Sequence, residues 1–412
     1  MNNRFKVNTY SIGLFMLFFY IFTSYIASDV IISSKWNSFS LYSFIGITAF
    51  FYFVGLYNNN WILRITTYTK WYGLFIIMSL LTMIYSPEKS LSSGQMYMMI
   101  VSFILTTLIS FLIRNEKDFI KIGLFYASSA VILNIILFLT GHLTGSSVDR
   151  LGTNLMGNAN IYATMIMIAV MYACWLYVYW SPNFIIKILI LLSLLMNMYS
   201  LILSGGRKFF VIPFVYLYLL LVFKKNKKGR KQVIKYSFLA LIAIVLIYYL
   251  ILTIPIFYDT IGYRMEALIN GAVGYGSYDN SAYIRKIIRN LAFNGWMENP
   301  FLGHGFDSFK YLNVKITGHF YYSHCNYTEI LYNEGIFIFL FYYGYFFYLI
   351  LKAFQTNLSD KYKAFICSGI ISFLVFDLGA VSYSLYVIQI MISLMSKIFC
   401  FDESNKINKG RK

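Results

Sequence analysis

Apolar stretches long enough to cross a bilayer recur along this chain from residue 10 to residue 400, broken only by short polar segments. A helix rises 1.5 Å per residue, so about 20 residues cover a hydrocarbon core of about 30 Å. Twelve stretches qualify, over 10–27, 39–57, 69–85, 95–113, 119–140, 159–180, 184–203, 208–223, 236–257, 329–351, 363–381 and 383–400. Inside hydrocarbon each backbone N–H and C=O must find its partner within the protein, which long uniform apolar runs achieve as helices. The sequence therefore predicts an all-α integral membrane protein. Charged residues make up 12% of the chain, about half the fraction usual in soluble domains. No internal repeat and no Pro- or Ser/Gly-rich linker divides it, so residues 1–412 read as one polytopic membrane domain. The basic start "MNNRFK" leads into a long run without a small-residue cleavage site, and reads as the first span instead of a removed leader. The four cysteines are scattered without a CxxC pair and define no redox compartment.

Charge orients the spans. The connection "KKNKKGRKQVIK" (224–235) carries seven basic residues, which by the positive-inside rule places it in the cytoplasm. Counting spans outward from it puts both termini inside. The inner segments then hold 23 of the 34 basic residues against five acidic ones, while the outer side and the spans are balanced. The net charge of +18 is thus a topology signal and not a nucleic-acid footprint.

With this orientation the unusual segments all face outward. The connection 258–328 far exceeds the roughly 12–15 residues beyond which an unstructured loop is uncommon. It is rich in Tyr, Phe, Ile and Gly and poor in charge, which argues for order. A second outer loop, 141–160, is Gly- and Asn-rich, and these two loops hold all four histidines: His142, His304, His319 and His324.

Several outward basic residues break the positive-inside tendency. "LILSGGRKFF" (201–210) puts Arg207 and Lys208 at the outer end of a span, directly after a Ser-Gly-Gly break. A charge at that depth either faces a cavity or snorkels to the interface. "SAYIRKIIRNLAF" (281–293) has Ile284, Ile287, Ile288 and Leu291 on one helical face and Arg285 and Arg289 stacked on another. Such a helix lies in the outer interface, where its arginines hold either anionic lipid or a diphosphate, whose oxygens guanidinium groups match in pairs. Arg264 is a third candidate for the same anion.

"YYSHCNYTEILYNEG" (321–335) leads into the tenth span, with the helix expected to start near Asn326 and His324 just above its mouth. A histidine there caps a helix or takes a proton near neutral pH. A zinc site from His304, His319 and His324 matches no standard ligand spacing. Cys-His-Asn nucleophilic chemistry is excluded, because adjacent residues of one segment cannot face one another as a triad. Asp377, near the outer end of the eleventh span, is either an ion site or a packing hydrogen bonder.

Five segments, in this order, resemble the O-antigen ligase and Wzy-type polysaccharide polymerase superfamily: "RLGTNLMGNANIYA" (150–163), "LILSGGRKFF", "YRMEALINGA" with "DNSAYIRKIIRN", "NPFLGHGF", and "SHCNYTEILYNEGIFIFLFY". The resemblance covers roughly 150–352. One departure is that Cys325 stands between His324 and Asn326, which are adjacent or separated by Ser or Asn in many relatives. The resemblance implies a GT-C-like membrane glycosyltransferase of the bacterial cytoplasmic membrane, acting on a polyprenyl-diphosphate-linked oligosaccharide at the outer face, with no cofactor and no metal. Arg207, Arg264, Arg285 and Arg289 would hold the diphosphate, Arg207 and His324 would act in catalysis, and His324 would take the acceptor proton. Asn326 and Glu334 would support the loop, and Tyr321, Tyr322 and Tyr327 would offer faces to sugars. A polymerase of repeat units is expected, with a flippase and a chain-length regulator as partners. Ligase-type transfer of a finished glycan is the alternative, and a flippase, which usually shows related halves, a more distant one.

Overall fold

The computed structural model describes residues 9–28, 30–58, 65–87, 89–146, 149–180, 183–224, 229–273 and 280–409. The basic start at 1–8 and residues 225–228 of the basic connection lie outside the described residues. Among those described there are helices and turns but no strand.

Each of the twelve predicted spans falls on a helix. The first five are α1 (Thr9–Ile26), α2 (Lys35–Asn58), α3 (Thr67–Thr82), α4 (Lys89–Leu112) and α5 (Glu116–Leu139). A single turn, α6 (Thr153–Met156), precedes α7 (Ala159–Tyr179), α8 (Phe184–Leu203), α9 (Arg207–Phe223) and α10 (Gly229–Thr253). The long outer connection is built of α11 (Pro255–Phe257), a π-turn (Tyr258–Gly262), α12 (Tyr263–Val273), α13 (Asn280–Glu298) and α14 (Phe309–Thr317). Then follow α15 (Asn326–Gln355), α16 (Asp360–Asp377) and α17 (Tyr386–Lys409). Seven of these helices are both long and apolar enough to cross a membrane: α2, α4, α5, α7, α8, α10 and α15. The chain is an all-α integral membrane protein.

Side chains at the polar punctuation start the helices. Thr66, Asn115, Asn158 and Asn183 each accept a hydrogen bond from a first-turn N–H of α3, α5, α7 and α8, the usual N-cap arrangement. Helix α7 forms the centre, with residues such as Tyr162, Ile166, Trp175 and Leu176 fully buried against α5, α8 and α9. The outer end of α8 is tied down by a buried polar cluster. Asn134 of α5 donates to Asn197 at 2.7 Å, while its own side-chain oxygen accepts from Ser200 at 2.7 Å and from Tyr162 at 3.1 Å. In an apolar interior such paired groups locate helices against one another more sharply than packing alone. By contrast α10 turns most of its length outward, with Ile242, Val245, Leu246 and Tyr249 exposed.

Two expectations shift. The eleventh span ends at Asp377 instead of 381, because the N–H groups of Ser382 and Tyr383 leave the helix and donate to the Asn326 side chain at 2.9 and 3.3 Å. The apolar stripe of the 281–293 helix is divided: Ile288 packs with Ala292 against Tyr332 and Phe309, whereas Ile284 and Ile287 remain exposed. The helix rests on α15 as much as on any interface.

Candidate active site

The Ser-Gly-Gly break makes a tight turn between α8 and α9. Gly205 has φ +62°, and a Cβ there would lie 3.0 Å from the Thr260 carbonyl oxygen and 3.2 Å from Arg150 Nε. Glycine is needed at such a position for both conformation and space. Into that space comes Arg150 from the 141–160 connection, donating through Nε to the Ser204 carbonyl at 2.6 Å and through Nη2 to Asn160 Oδ1 at 3.3 Å. Arg264 approaches the same turn from α12, with Nη1 3.4 Å from the Gly205 carbonyl and Nε donating to the Tyr263 hydroxyl at 2.8 Å. Arg207 donates to the Arg264 carbonyl at 2.6 Å, which links the start of α9 to α12.

A second turn faces this one. Residues 378 and 379, after α16, present consecutive carbonyls: Leu378 accepts from Arg289 Nη1 at 3.4 Å, and Gly379 accepts from Lys208 Nζ. Lys208 also lies over the rings of Phe209 and Phe376, at 4.8 and 5.2 Å. Between the two turns is a cavity of about 200 Å³ whose walls include Arg150, Arg207, Lys208, Arg264, Arg285 and Arg289 together with His324. Among the described residues no carboxylate lines it. The crowding of positive charge is electrostatically costly. Burial, then the nearby Arg264 and Arg285, pull the Arg150 guanidinium down to about 10.

His324 sits at the rim with φ +59°, the left-handed region that a side chain with a Cβ rarely adopts. Its neighbours hold it there. The preceding residue, Ser323, donates its backbone N–H to Glu329 Oε2 at 2.7 Å, and Glu329 Oε1 accepts from Asn333 Nδ2 at 3.2 Å. On the other side Asn326 is fully buried and donates to the Tyr343 hydroxyl at 2.9 Å and to Asp377 at 3.2 Å, besides accepting from the 382–383 backbone. The imidazole packs against Tyr322, ring centroids 4.6 Å apart. Burial and then the positive charges of Arg285, Lys208 and Arg289 push its pKa down to about 3. It is a neutral ring with a lone pair at physiological pH.

The structure brings Arg207, Arg264, Arg285, Arg289 and His324 together, as the sequence reading requires. Asn326 stands beneath the histidine as a latch, and exposed Tyr321 lies 6.1 Å from the His324 ring. Two other residues are elsewhere. Tyr327 is directed into helix packing, its hydroxyl on the Leu374 carbonyl at 2.7 Å and its ring stacked on Tyr343, so it offers no face to a ligand. Glu334 is buried against α3, accepting from Ser79 at 2.9 Å.

Glu334 belongs to a separate device. Helix α15 breaks at Gly335 (φ +77°), and the freed carbonyls of Tyr332 and Asn333 accept from the N–H groups of His304 and Gly305 at 2.9 and 2.8 Å. Ile336 N–H in turn donates to the Pro300 carbonyl at 2.9 Å. The "NPFLGHGF" and "NEG" segments, distant in sequence, are therefore two halves of one interlock. His304 is part of it, with Nε2 2.7 Å from the Gly295 carbonyl and its ring on Tyr332, and it does not join His324.

Arg150, Asn160, Lys208, Glu329 and the 378–379 turn were not assigned from the sequence. A signal existed for Arg150, an outward basic residue opening a segment already singled out, and for Lys208, next to Arg207. None existed for the turn or for Glu329, whose partners are set by folding.

Residues 189–343 match the O-antigen ligase family. No curated protein matches the chain. The matched segment holds most of α8, α9, α10, the long connection that follows and the first part of α15, and with them Arg207, Lys208, Arg264, Arg285, Arg289, His324 and Glu329. Arg150 and Asn160 precede it and Leu378 and Gly379 follow it, so the cavity is completed by chain outside the matched segment. Five arginines and Lys208 beside a neutral imidazole can bind a polyanion, stabilise negative charge that develops on it, and accept one proton.

Proposed function

We propose that the chain is a membrane glycosyltransferase that joins polyprenyl-diphosphate-linked oligosaccharide repeat units into a capsular or O-antigen-type polysaccharide. The observation that carries this reading is the cavity whose wall gathers five arginines, Lys208 and His324, with no carboxylate among the described residues that line it. The acceptor sugar hydroxyl attacks the anomeric carbon of the donor. Its proton passes to the lone pair of His324, and the bond from the anomeric carbon to the phosphate oxygen breaks. The electron pair stays on that oxygen, so polyprenyl diphosphate departs with one more negative charge. Arg207, Arg264, Arg285 and Arg289 neutralise that charge from preorganised positions, where such stabilisation is most effective. The chain's own cations thus take the place a metal ion would fill. Tyr321 and Tyr322 border the acceptor side.

The basic connection at 224–235 supports a cytoplasmic side for both termini, and the cavity lies at the opposite ends of the spans. Both observations support a reaction on the outer face of a bacterial cytoplasmic membrane, where a flippase would deliver the donor and a chain-length regulator would act. The family match favours a second reading, in which the same chemistry transfers a finished glycan to a different acceptor.

Purified protein in detergent, incubated with a synthetic polyprenyl-diphosphate repeat unit, tests both. A ladder of repeats together with released polyprenyl diphosphate, lost in His324→Ala and Arg207→Ala at normal protein levels, supports the polymerase. Elongation seen only after a distinct acceptor is added supports the ligase. Translocation between leaflets without any new glycosidic bond would overturn both.

A further inference from the structure

The imidazole of His324 is one end of a line of rings that leads away from the cavity. It lies 4.6 Å from the ring of Tyr322 and 6.1 Å from that of Tyr321, and Tyr321 in turn lies 5.5 Å from His319, with the two planes at 27°. Tyr321 is 46% exposed and His319 is exposed as well, so the line runs from the cavity rim out over the 318–322 segment. Phe320, between them in sequence, belongs to a different contact, with Lys310 Nζ 5.6 Å from its ring centroid. The segment has a dedicated support. Asn313 of α14 is fully buried, and its Nδ2 donates to the His319 carbonyl at 2.9 Å and to the Tyr321 carbonyl at 3.2 Å, while its Oδ1 accepts from the Thr317 hydroxyl at 3.1 Å. Gly318 (φ +73°) turns the chain out of α14 just before the first ring. One buried amide thus fixes the backbone of both ring-bearing residues, although ordering exposed aromatic side chains costs entropy that little packing of their own offsets.

We propose that Tyr321 and His319 form a carbohydrate subsite for the acceptor glycan: the sugar that carries the attacking hydroxyl stands at His324, and the sugars behind it lie along Tyr321 and then His319. The assignment rests on the glycosyl-transfer reading above. A pyranose ring offers a face of slightly electropositive C–H groups, which suits the negative face of an aromatic ring, while its hydroxyls stay at the edge in water. Centroids 6.1 and 5.5 Å apart advance in steps comparable to the length of one sugar residue. Neither Tyr321 nor His319 lines the arginine-walled cavity, and His324 is the residue common to cavity and ring line. The acceptor is therefore read by uncharged faces outside the cavity, and acceptors are told apart by the sugars that follow the attacking one.

The test uses a phosphate-free probe. The repeat-unit oligosaccharide, released by mild acid from the lipid-linked pool of the producing cell, is titrated against the purified full chain in detergent. Tyr321→Ala and His319→Ala are each expected to weaken its binding by about five- to tenfold, the scale of one lost stacking face. Both side chains are exposed, so neither substitution removes packing from the core. Tyr321→Phe and His319→Phe keep a ring at each place and should bind as the unaltered chain does. Undiminished binding in both alanine variants overturns the subsite. A loss in Tyr321→Phe equal to that in Tyr321→Ala also overturns it, because the hydroxyl and not the face would then be what binds. So does weaker partition of the alanine variants into liposomes with glycan binding intact, which would make the rings an interfacial anchor. An unaltered chain that transfers glycan yet does not bind the free oligosaccharide removes the subsite and leaves the glycosyl-transfer reading standing. If it neither binds nor transfers, that reading falls.

Discussion

The backbone N–H of Ser323 donates to Glu329 Oε2 at 2.7 Å, and this buried contact holds the residue before His324 in place. Glu329 joins α15 to the turn that carries the histidine, and through Asn333, which accepts from Phe309 N–H at 2.9 Å, it reaches the 303–309 segment as well. A left-handed histidine is tolerated because the residues on both sides are fixed independently of it.

Replacing Glu329 separates this positioning from bulk. Glu329→Ala leaves the Ser323 N–H and the Asn333 amide buried without partners, at about 1–3 kcal/mol each, and should lower the unfolding temperature and remove activity. Glu329→Gln keeps the shape but can accept through only one oxygen, so it should fold yet lose much of kcat with KM little changed. A kcat equal to that of the unaltered enzyme would show that the latch does not govern His324.

The pH profile follows from the charges around the imidazole. On the proposed mechanism His324 must be neutral to take a proton, and burial and nearby cations depress its pKa to about 3, so the base is expected to be available over the whole neutral and mildly acidic range. Activity due to this group is lost only as pH falls through that value. Arg285 is the largest charge acting on it after burial itself. Arg285→Gln should therefore move the acid limb of kcat/KM to higher pH, whatever it does to the height of the profile. In the unaltered enzyme the bound diphosphate opposes the same cations, so the acid limb of kcat should lie at higher pH than that of kcat/KM.

The interlock at Gly335 is a matter of space. A Cβ there would stand 2.2 Å from the Phe301 carbonyl oxygen at a φ of +77°, whereas Gly344, further along the same helix, has nothing within 4 Å. Gly335→Ala should abolish recovery of monodisperse protein in detergent. Gly344→Ala should leave it unchanged.

At the Ser-Gly-Gly turn the consequence is local. A side chain at Gly205 meets Arg150 and the Thr260 carbonyl, so Gly205→Ala should displace Arg150 from the Ser204 carbonyl. Polyprenyl diphosphate binding, measured by titration, is expected to fall by about tenfold or more, with the helical content by circular dichroism preserved.

Much of the architecture is legible without coordinates. Uninterrupted apolar length leaves a segment in hydrocarbon no choice but a helix, so the twelve spans can be read from hydropathy alone. Lysines and arginines along the chain predict an orientation for them, and that prediction alone groups Arg207, Arg264, Arg285, Arg289 and His324 on one expected side. Start points such as Asn326 follow from the change in polarity just before the apolar run.

What hydropathy does not contain is which helix lies against which. The meeting of Arg150 with the Ser204-Gly205 turn, of Lys208 and Arg289 with the Leu378-Gly379 carbonyls, and of the "NPFLGHGF" turn with the break at Gly335 each joins segments from 28 to 171 residues apart. Those pairings come from the packing of α5, α7, α8, α9 and α16, where buried groups such as Asn134 and Asn326 accept only one arrangement of neighbours. Tyr327 shows the same limit from the other side, since its identity suits a sugar while its position on α15 turns it toward Tyr343. The chemistry at each residue and the helical character of the spans were determined by the sequence. The assembly of those residues into one cation-walled cavity was decided by tertiary structure, because it depends on long-range contacts that no local pattern encodes.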